Sequence, residues 1–229
     1  MPKGDILEIE LHSHRHALEL LGTLDEYKIL WAEVLEAIES LTDERVISHF
    51  QTNFENKGLA VKSISRSINT LLDQALSERG WSSQSKIFSN SAYGAHKWRL
   101  DFAKRFPETS KSEKNAAGDA SGISIEVAFN NGGSISWNLI KPVLASEQNH
   151  LPKAFQTSLG IVIAATKDLK KMGGFDNAVG TYQNYVSNLV PLRDILTVPI
   201  LVVGLSGFDT FKVVQDKKGG KTYGRIERL

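Results

Sequence analysis

Asp101 and Glu126 are the side chains in this sequence best placed to do chemistry. Each is the acidic member of an alternating segment. In Trp98-Arg99-Leu100-Asp101-Phe102-Ala103 an extended chain puts Trp98, Leu100 and Phe102 on one face and Arg99, Asp101 and Ala103 on the other. Ile123-Ser124-Ile125-Glu126-Val127-Ala128-Phe129-Asn130 repeats the pattern. Two such strands side by side would each offer one carboxylate from the less apolar surface, with the main-chain carbonyl of Val127 as a third oxygen. Mg2+ prefers oxygen ligands and keeps several waters, so one or two Mg2+ ions are expected there. Such a cation polarises a phosphoryl group and lowers the pKa of a bound water, as phosphodiester hydrolysis requires. The alternative is a pair of ordinary carboxylates on a half-exposed sheet, and alternation alone favours it. Glu126 weighs against that, because a charge is unhelpful inside so strongly strand-forming a run.

The elements that must position these residues follow from periodicity. A strand-like start (Ile6, Ile9, Leu11) leads into a helix over about 17–41, with the stripe Leu18, Leu21, Leu24, Leu30, Val34, Leu35, Ile38 and a break at Gly22 and Thr23. The polar stretch 43–62 reads as irregular. A second helix over 63–79 turns Ile64, Ile68, Leu71, Leu72, Ala75 and Leu76 inward and stops at Gly80. The two acidic strands are expected to be antiparallel neighbours joined by a polar, Ser/Lys/Glu/Asn/Gly-rich loop over 107–122. After the turn Asn130-Asn131-Gly132-Gly133, Ser134 could cap a helix that Pro142 should kink or break. The apolar runs 158–165 and 198–205 read as strands covered on both faces, linked by a helix over about 178–192 as a right-handed parallel crossover. These elements predict an α/β fold: a central mixed sheet flanked by helices.

The chain has 229 residues, 41% hydrophobic, enough for one domain with a substantial core. One domain over 1–229 is expected, with a polar insertion at about 106–122 and a basic segment at 212–229. No apolar run of 18 residues suggests a membrane span, and the acidic, alternating start does not resemble a signal peptide. Cysteine is absent, which excludes disulfides, thiolate metal sites and a cysteine nucleophile, and fits a cytoplasmic location. The balance of 27 basic to 26 acidic residues neither supports nor excludes binding to nucleic acid.

The string Asp101-Phe102-Ala103-Lys104-Arg105, followed by Ile125-Glu126-Val127-Ala128-Phe129-Asn130, resembles the catalytic strands of the BglII and BstYI group of restriction endonucleases, within the PD-(D/E)XK nucleases. The resemblance extends to Leu30-Trp31-Ala32-Glu33-Val34, Leu76-Ser77-Glu78-Arg79-Gly80-Trp81, Gly160-Ile161-Val162-Ile163, the segment 173–185 and Val198-Pro199-Ile200-Leu201-Val202-Val203-Gly204-Leu205. It implies a Type II restriction endonuclease: a homodimer that cuts a palindromic site in double-stranded DNA and leaves 5′-phosphates, beside a companion DNA methyltransferase. It also implies Asp101 and Glu126 as metal ligands, and Glu33 as a third acidic group near the metal. Two departures stand out. The interval 126 − 101 = 25 residues is longer than in those relatives, and the polar loop accounts for it as an insertion. Two positions after the glutamate, where the general motif has Lys and these relatives Gln, this chain has Ala128. Alanine can neither orient water nor stabilise charge, so Lys104 and Asn130 are candidate replacements.

In the same group the DNA-reading elements are loops. Here they correspond to 130–134, with Asn130, Asn131 and Ser134, and to 171–177, with Asp176 and Asn177. Asn, Asp and Gly also serve ordinary turns. Lys217, Tyr223 and Arg225 resemble a DNA-contacting tail, for which a solvated terminus is the alternative. His12, His14 and His16 lack partners at a zinc-like spacing, and no phosphate-binding glycine fingerprint occurs. Two further readings stay open: a catalytically weak or inactive nuclease-fold DNA-binding protein, suggested by Ala128, and, from another class, an α/β regulatory or scaffold domain whose carboxylates are incidental.

Overall fold

The computed structural model describes residues 7–107, 121–129, 131–147 and 150–229. Six strands form the central sheet: β1 (Ile9–His14), β2 (Ser82–Lys86), β3 (Arg99–Arg105), β4 (Gly122–Val127), β5 (Leu159–Ala165) and β6 (Ile200–Leu205). Their spatial order is β1-β6-β5-β4-β3-β2. β4, β5 and β6 are parallel; β1 pairs antiparallel with β6, β3 with β4 and β2 with β3. The mixed α/β sheet expected from the periodicity is thus present, and β3 and β4 are adjacent and antiparallel. Every residue of β5 and β6 is buried, as continuous apolar runs in parallel strands require.

Helices cover both faces. On one lie α1 (Ala17–Thr23), α2 (Asp25–Glu39), α3 (Asp43–Phe50) and α4 (Ser65–Glu78), whose inward residues pack with Phe102, Ile123, Ile125, Ile161 and Val203. The expected break falls slightly later: α1 continues through Gly22 and Thr23, and Leu24, in an extended conformation, separates it from α2. Gly80, at φ 78°, takes the left-handed conformation just past α4 that a side chain would resist. On the other face α5 (Ile135–Glu147) and α7 (Tyr182–Leu192) pack Leu139, Val143, Tyr185 and Leu189 against Ala128, Val162 and Val202.

The fold departs from the periodicity, or goes beyond it, in four places. The stretch 43–62, read as irregular, carries α3 and a π-helical turn (Gln51–Glu55). Thr42 caps it by accepting from the Arg45 N–H, and Val46, Ile47 and Phe50 are buried, a short stripe hidden among polar neighbours. β2 is all polar, Ser-Ser-Gln-Ser-Lys, and shows no alternation because it is an edge strand with one buried residue. The crossover contains α6 (Lys167–Met172) as well as α7, which starts at Tyr182. The basic end is a hairpin rather than a frayed tail: β7 (Phe211–Lys218) pairs with β8 (Lys221–Arg228). It is anchored by the Gln215 side chain donating to the Gly174 carbonyl and by the Gly224 N–H donating to Val61.

Pro142 does not end α5, which continues through it to Glu147. Its ring lies directly on β5, where a Cβ added at Gly160 would fall 2.5 Å from Pro142 Cγ. Gly160→Ala is therefore expected to cost about 1–3 kcal/mol through overpacking, read as a lower urea midpoint at unchanged slope.

Candidate active site

The ladder between β3 and β4 runs from Arg105 opposite Gly122 to Phe102 opposite Ile125 and ends there. The next opposed residues are Asp101 and Glu126. Directly opposite residues of an antiparallel pair share a face, so both carboxylates project from the same surface. At this point side chains replace the backbone ladder. The Val127 N–H donates to Asp101 Oδ2 at 2.9 Å, and the Asp101 N–H lies 3.4 Å from Glu126 Oε1. In an extended strand the N–H and C=O of one residue point to the same edge. The Val127 carbonyl consequently faces the opening beside Asp101, while the Ala128 N–H turns the other way to Ile163. Gln84 Nε2 on β2 reaches Asp101 Oδ1 at 3.5 Å from the far side.

Glu126 is 1% exposed in the middle of a strongly apolar strand. Burial, and then the charge of Asp101, push its carboxyl up to about 8, although Lys141 acts in the opposite sense. Lys141, on the inward side of α5, places Nζ 2.5 Å from Glu126 Oε2, and both side chains are buried. Lys141 is not among the residues that strand periodicity marks. The signal was a lysine within the apolar stretch of α5, one turn beyond Asn138 on the same face. Asn138 is itself buried and donates to the Tyr185 hydroxyl at 2.7 Å.

The other candidates are distributed as follows. Glu33 and Lys104 pair with each other, Nζ to Oε1 at 2.7 Å, and the pair also engages Trp81 Nε1 and the Arg79 carbonyl. Lys104 is three residues along β3 from Asp101 and so faces the opposite side, toward α2 and α4. The structure therefore corrects two expectations: Glu33 does not join the carboxylate pair, and Lys104 does not replace the group missing at Ala128. Asn130 lies outside the described residues, as does most of the polar loop, 108–120. Ala128 is fully buried, in the same apolar cluster as Ile135, Leu139 and Val143.

The two loops expected to read DNA come together. Asn131 bridges to Val179, and the Gly132 N–H donates to the Ala178 carbonyl at 2.7 Å. Their side chains also do turn work. Asn131 Oδ1 accepts from the Gly133 N–H, the Ser134 N–H donates to the Asn131 carbonyl, and Asp176 Oδ1 accepts from the Ala178 N–H. Asp176 is ion-paired with Lys62, which holds its carboxyl below the usual range. The Asn177 side chain is exposed, and Lys170 Nζ secures the loop through the carbonyls of Asn177 and Val179. Beside this loop lies a surface cavity of about 650 Å3 that includes Lys167, Lys170, Lys171 and Gln215 in its wall. On the hairpin, Lys217 and Arg225 are exposed and Tyr223 is half-buried, and Arg225 lies 3.8 Å from Asp216.

Among the described residues no group of three or more His, Asp or Glu side chains gathers as a metal site. The donor set at the opening is two carboxylates and a carbonyl, hard oxygens throughout. Two carboxyls held together, one of them buried and so disfavoured as an anion, form a pair whose joint ionisation a divalent cation favours. The set fits an ion that keeps several waters.

Comparison with known proteins adds three findings. The family model described as restriction endonuclease BglII/BglIII matches residues 9–205. No curated protein sequence matches. Among solved structures, restriction endonuclease BglII complexed with a DNA 16-mer is similar over 97% of this chain and 100% of its own, with a TM-score of 0.59 and 17% identity. Free BglII aligns over the same shares with a TM-score of 0.46 and 15% identity. With a family model spanning most of the sheet and helices, and a shared fold, the chain belongs to the BglII/BglIII restriction endonuclease family and is by that membership a Type II site-specific deoxyribonuclease.

Proposed function

We propose that this protein hydrolyses phosphodiester bonds at one palindromic site in double-stranded DNA, with Mg2+ held by Asp101, Glu126 and the Val127 carbonyl. The observation that carries the reading is the opposed carboxylate pair where the β3–β4 ladder opens. When bound, the cation would supply a Lewis acid for the phosphoryl oxygen and lower the pKa of a water, the chemistry needed for hydrolysis to a 5′-phosphate and a 3′-hydroxyl. The Val127 N–H fixes the Asp101 carboxylate, and Lys141 fixes that of Glu126. A palindrome is most simply cut by a two-fold protein, so the active form is a homodimer with one site per strand. The chain acts as a single endonuclease domain in the cytoplasm, and host DNA is protected by a companion methyltransferase. No helix among the described residues is long and apolar enough to cross a membrane.

DNA contacts fall to the joined loops 131–134 and 174–181, with Asn131, Ser134, Asp176 and Asn177 toward base edges. Lys171, Lys217, Tyr223 and Arg225 face phosphates. That BglII has been crystallised on DNA supports a duplex as the substrate. The test is incubation with plasmid or phage DNA in Mg2+ or EDTA. Discrete, metal-dependent fragments are expected, whereas sequence-specific retardation without cutting would leave a DNA-binding protein of nuclease fold. Lys171→Ala and Lys217→Ala should each weaken binding on all sequences alike and reduce the slope of log affinity against log salt by about one, measured by fluorescence anisotropy.

A further inference from the structure

We infer that Lys141, delivered from helix α5, is the lysine of this active site: it positions Glu126 and supplies the positive charge that the strand position Ala128 cannot. The inference rests on the nuclease reading above. Its basis is spatial. Lys141 Nζ meets Glu126 Oε2, and the lysine side chain is only 8% exposed. Among the described residues Glu126 is its one hydrogen-bond partner, and an ammonium has three donors. A buried ammonium with a single carboxylate acceptor has capacity left for a further oxygen at the same place.

Ala128 and Lys141 are two sides of one arrangement. Ala128 shares the strand face of Glu126 and is fully buried in one apolar cluster with Ile135, Leu139 and Val143 of α5. A long side chain at 128 would occupy the space into which the helix settles. With alanine there, α5 lies close on the sheet. The next residue, Pro142, seats on Gly160 of β5, and Asn138, one turn earlier, is tied to Tyr185 on α7. Lys141 is thus fixed from both sides along its own helix, as a positioning group must be. Lys104, the lysine nearest to Asp101 in sequence on β3, is committed to Glu33 on the opposite face and does not compete for this role.

The test compares Lys141→Met and Lys141→Arg with the parent dimer on cognate DNA, by single-turnover cleavage in Mg2+, by DNA affinity in EDTA and by calorimetric titration of Ca2+ into the protein–DNA complex. Lys141→Met should slow cleavage at least 100-fold while DNA affinity stays within about threefold. Ca2+ binding should tighten severalfold, because a cation resting on one ligand oxygen has been removed. Lys141→Arg keeps a charge in the same place and should recover at least tenfold of the lost rate. A lysine that merely supports the fold would lose DNA binding and cleavage together and would not tighten the metal. Either that pattern or a Lys141→Met protein cutting within threefold of the parent overturns the inference. If Lys141→Met fails to fold, Lys141→Arg decides alone: cleavage within tenfold of the parent supports the role, and complete loss in a folded protein overturns it. A parent that cuts no DNA with any divalent cation overturns the nuclease reading itself, and this inference with it.

Discussion

Asp101→Asn should abolish cleavage, with a fall of at least about a thousandfold in rate, equivalent to roughly 4 kcal/mol of barrier, while specific DNA binding in Ca2+ or EDTA persists. The asparagine is isosteric, and its Oδ1 can still accept from the Val127 N–H, the bond that fixes Asp101 at 2.9 Å. What disappears is the charge that holds a cation. Glu126→Gln should have the same effect on cutting for the same reason. Neither substitution touches the loops 131–134 and 174–181 or the hairpin Lys217 and Arg225, so the DNA-binding surface is left as it was. Cleavage by either variant at a rate within tenfold of the parent would remove these two residues from the metal site. Loss of DNA binding along with cutting would mean that the carboxylates maintain the fold instead.

The parts of the fold legible in the sequence are those whose pattern is set by one face meeting one core. β3 and β4 alternate because one face packs on α2 and α4, and the same alternation put Asp101 and Glu126 together on the opposite face. β5 and β6 read as unbroken apolar runs because helices cover both of their faces. β2 was illegible since an edge strand with one buried serine needs no apolar period. The site shows the same division. Two carboxylates on neighbouring strands follow from local periodicity, whereas their partners depend on which helix lands where. Glu33 and Lys104 were each plausible near the metal, and they find one another on the far side of the sheet at 2.7 Å. Lys141 carries no period-2 mark because it lies on a helix, and only the close seating of α5 on Ala128 and Gly160 brings it to Glu126. The family model agrees with this division, running from Ile9 to Leu205 and thus across the sheet but not the hairpin.

In EDTA the parent protein should lose stability as the pH rises from about 5 to about 9, and Glu126→Gln should lose much less. The Glu126 carboxyl is pushed up to about 8 from an ordinary 4.5, first by burial and then by the charge of Asp101. In the folded protein the group therefore holds its proton over a window in which the unfolded chain has released it. Stability falls with pH wherever the folded state binds more protons. The contribution is thus complete below pH 4.5, declines through the window and is gone once the pH exceeds about 8. Each unit of displacement corresponds to roughly 1.4 kcal/mol, so the total is of order a few kcal/mol, or several degrees in melting temperature for a chain of this length. Glutamine mimics the protonated carboxyl and has no such titration. A divalent cation selects the ionised form, so the stabilisation given by Mg2+ or Ca2+ should grow with pH over the same window in the parent and be small in Glu126→Gln. Thermal melts at matched ionic strength, with EDTA or with metal, measure both effects. Parallel pH profiles for the two proteins in EDTA would show that Glu126 is ionised in the metal-free fold, with Lys141 outweighing Asp101 and burial.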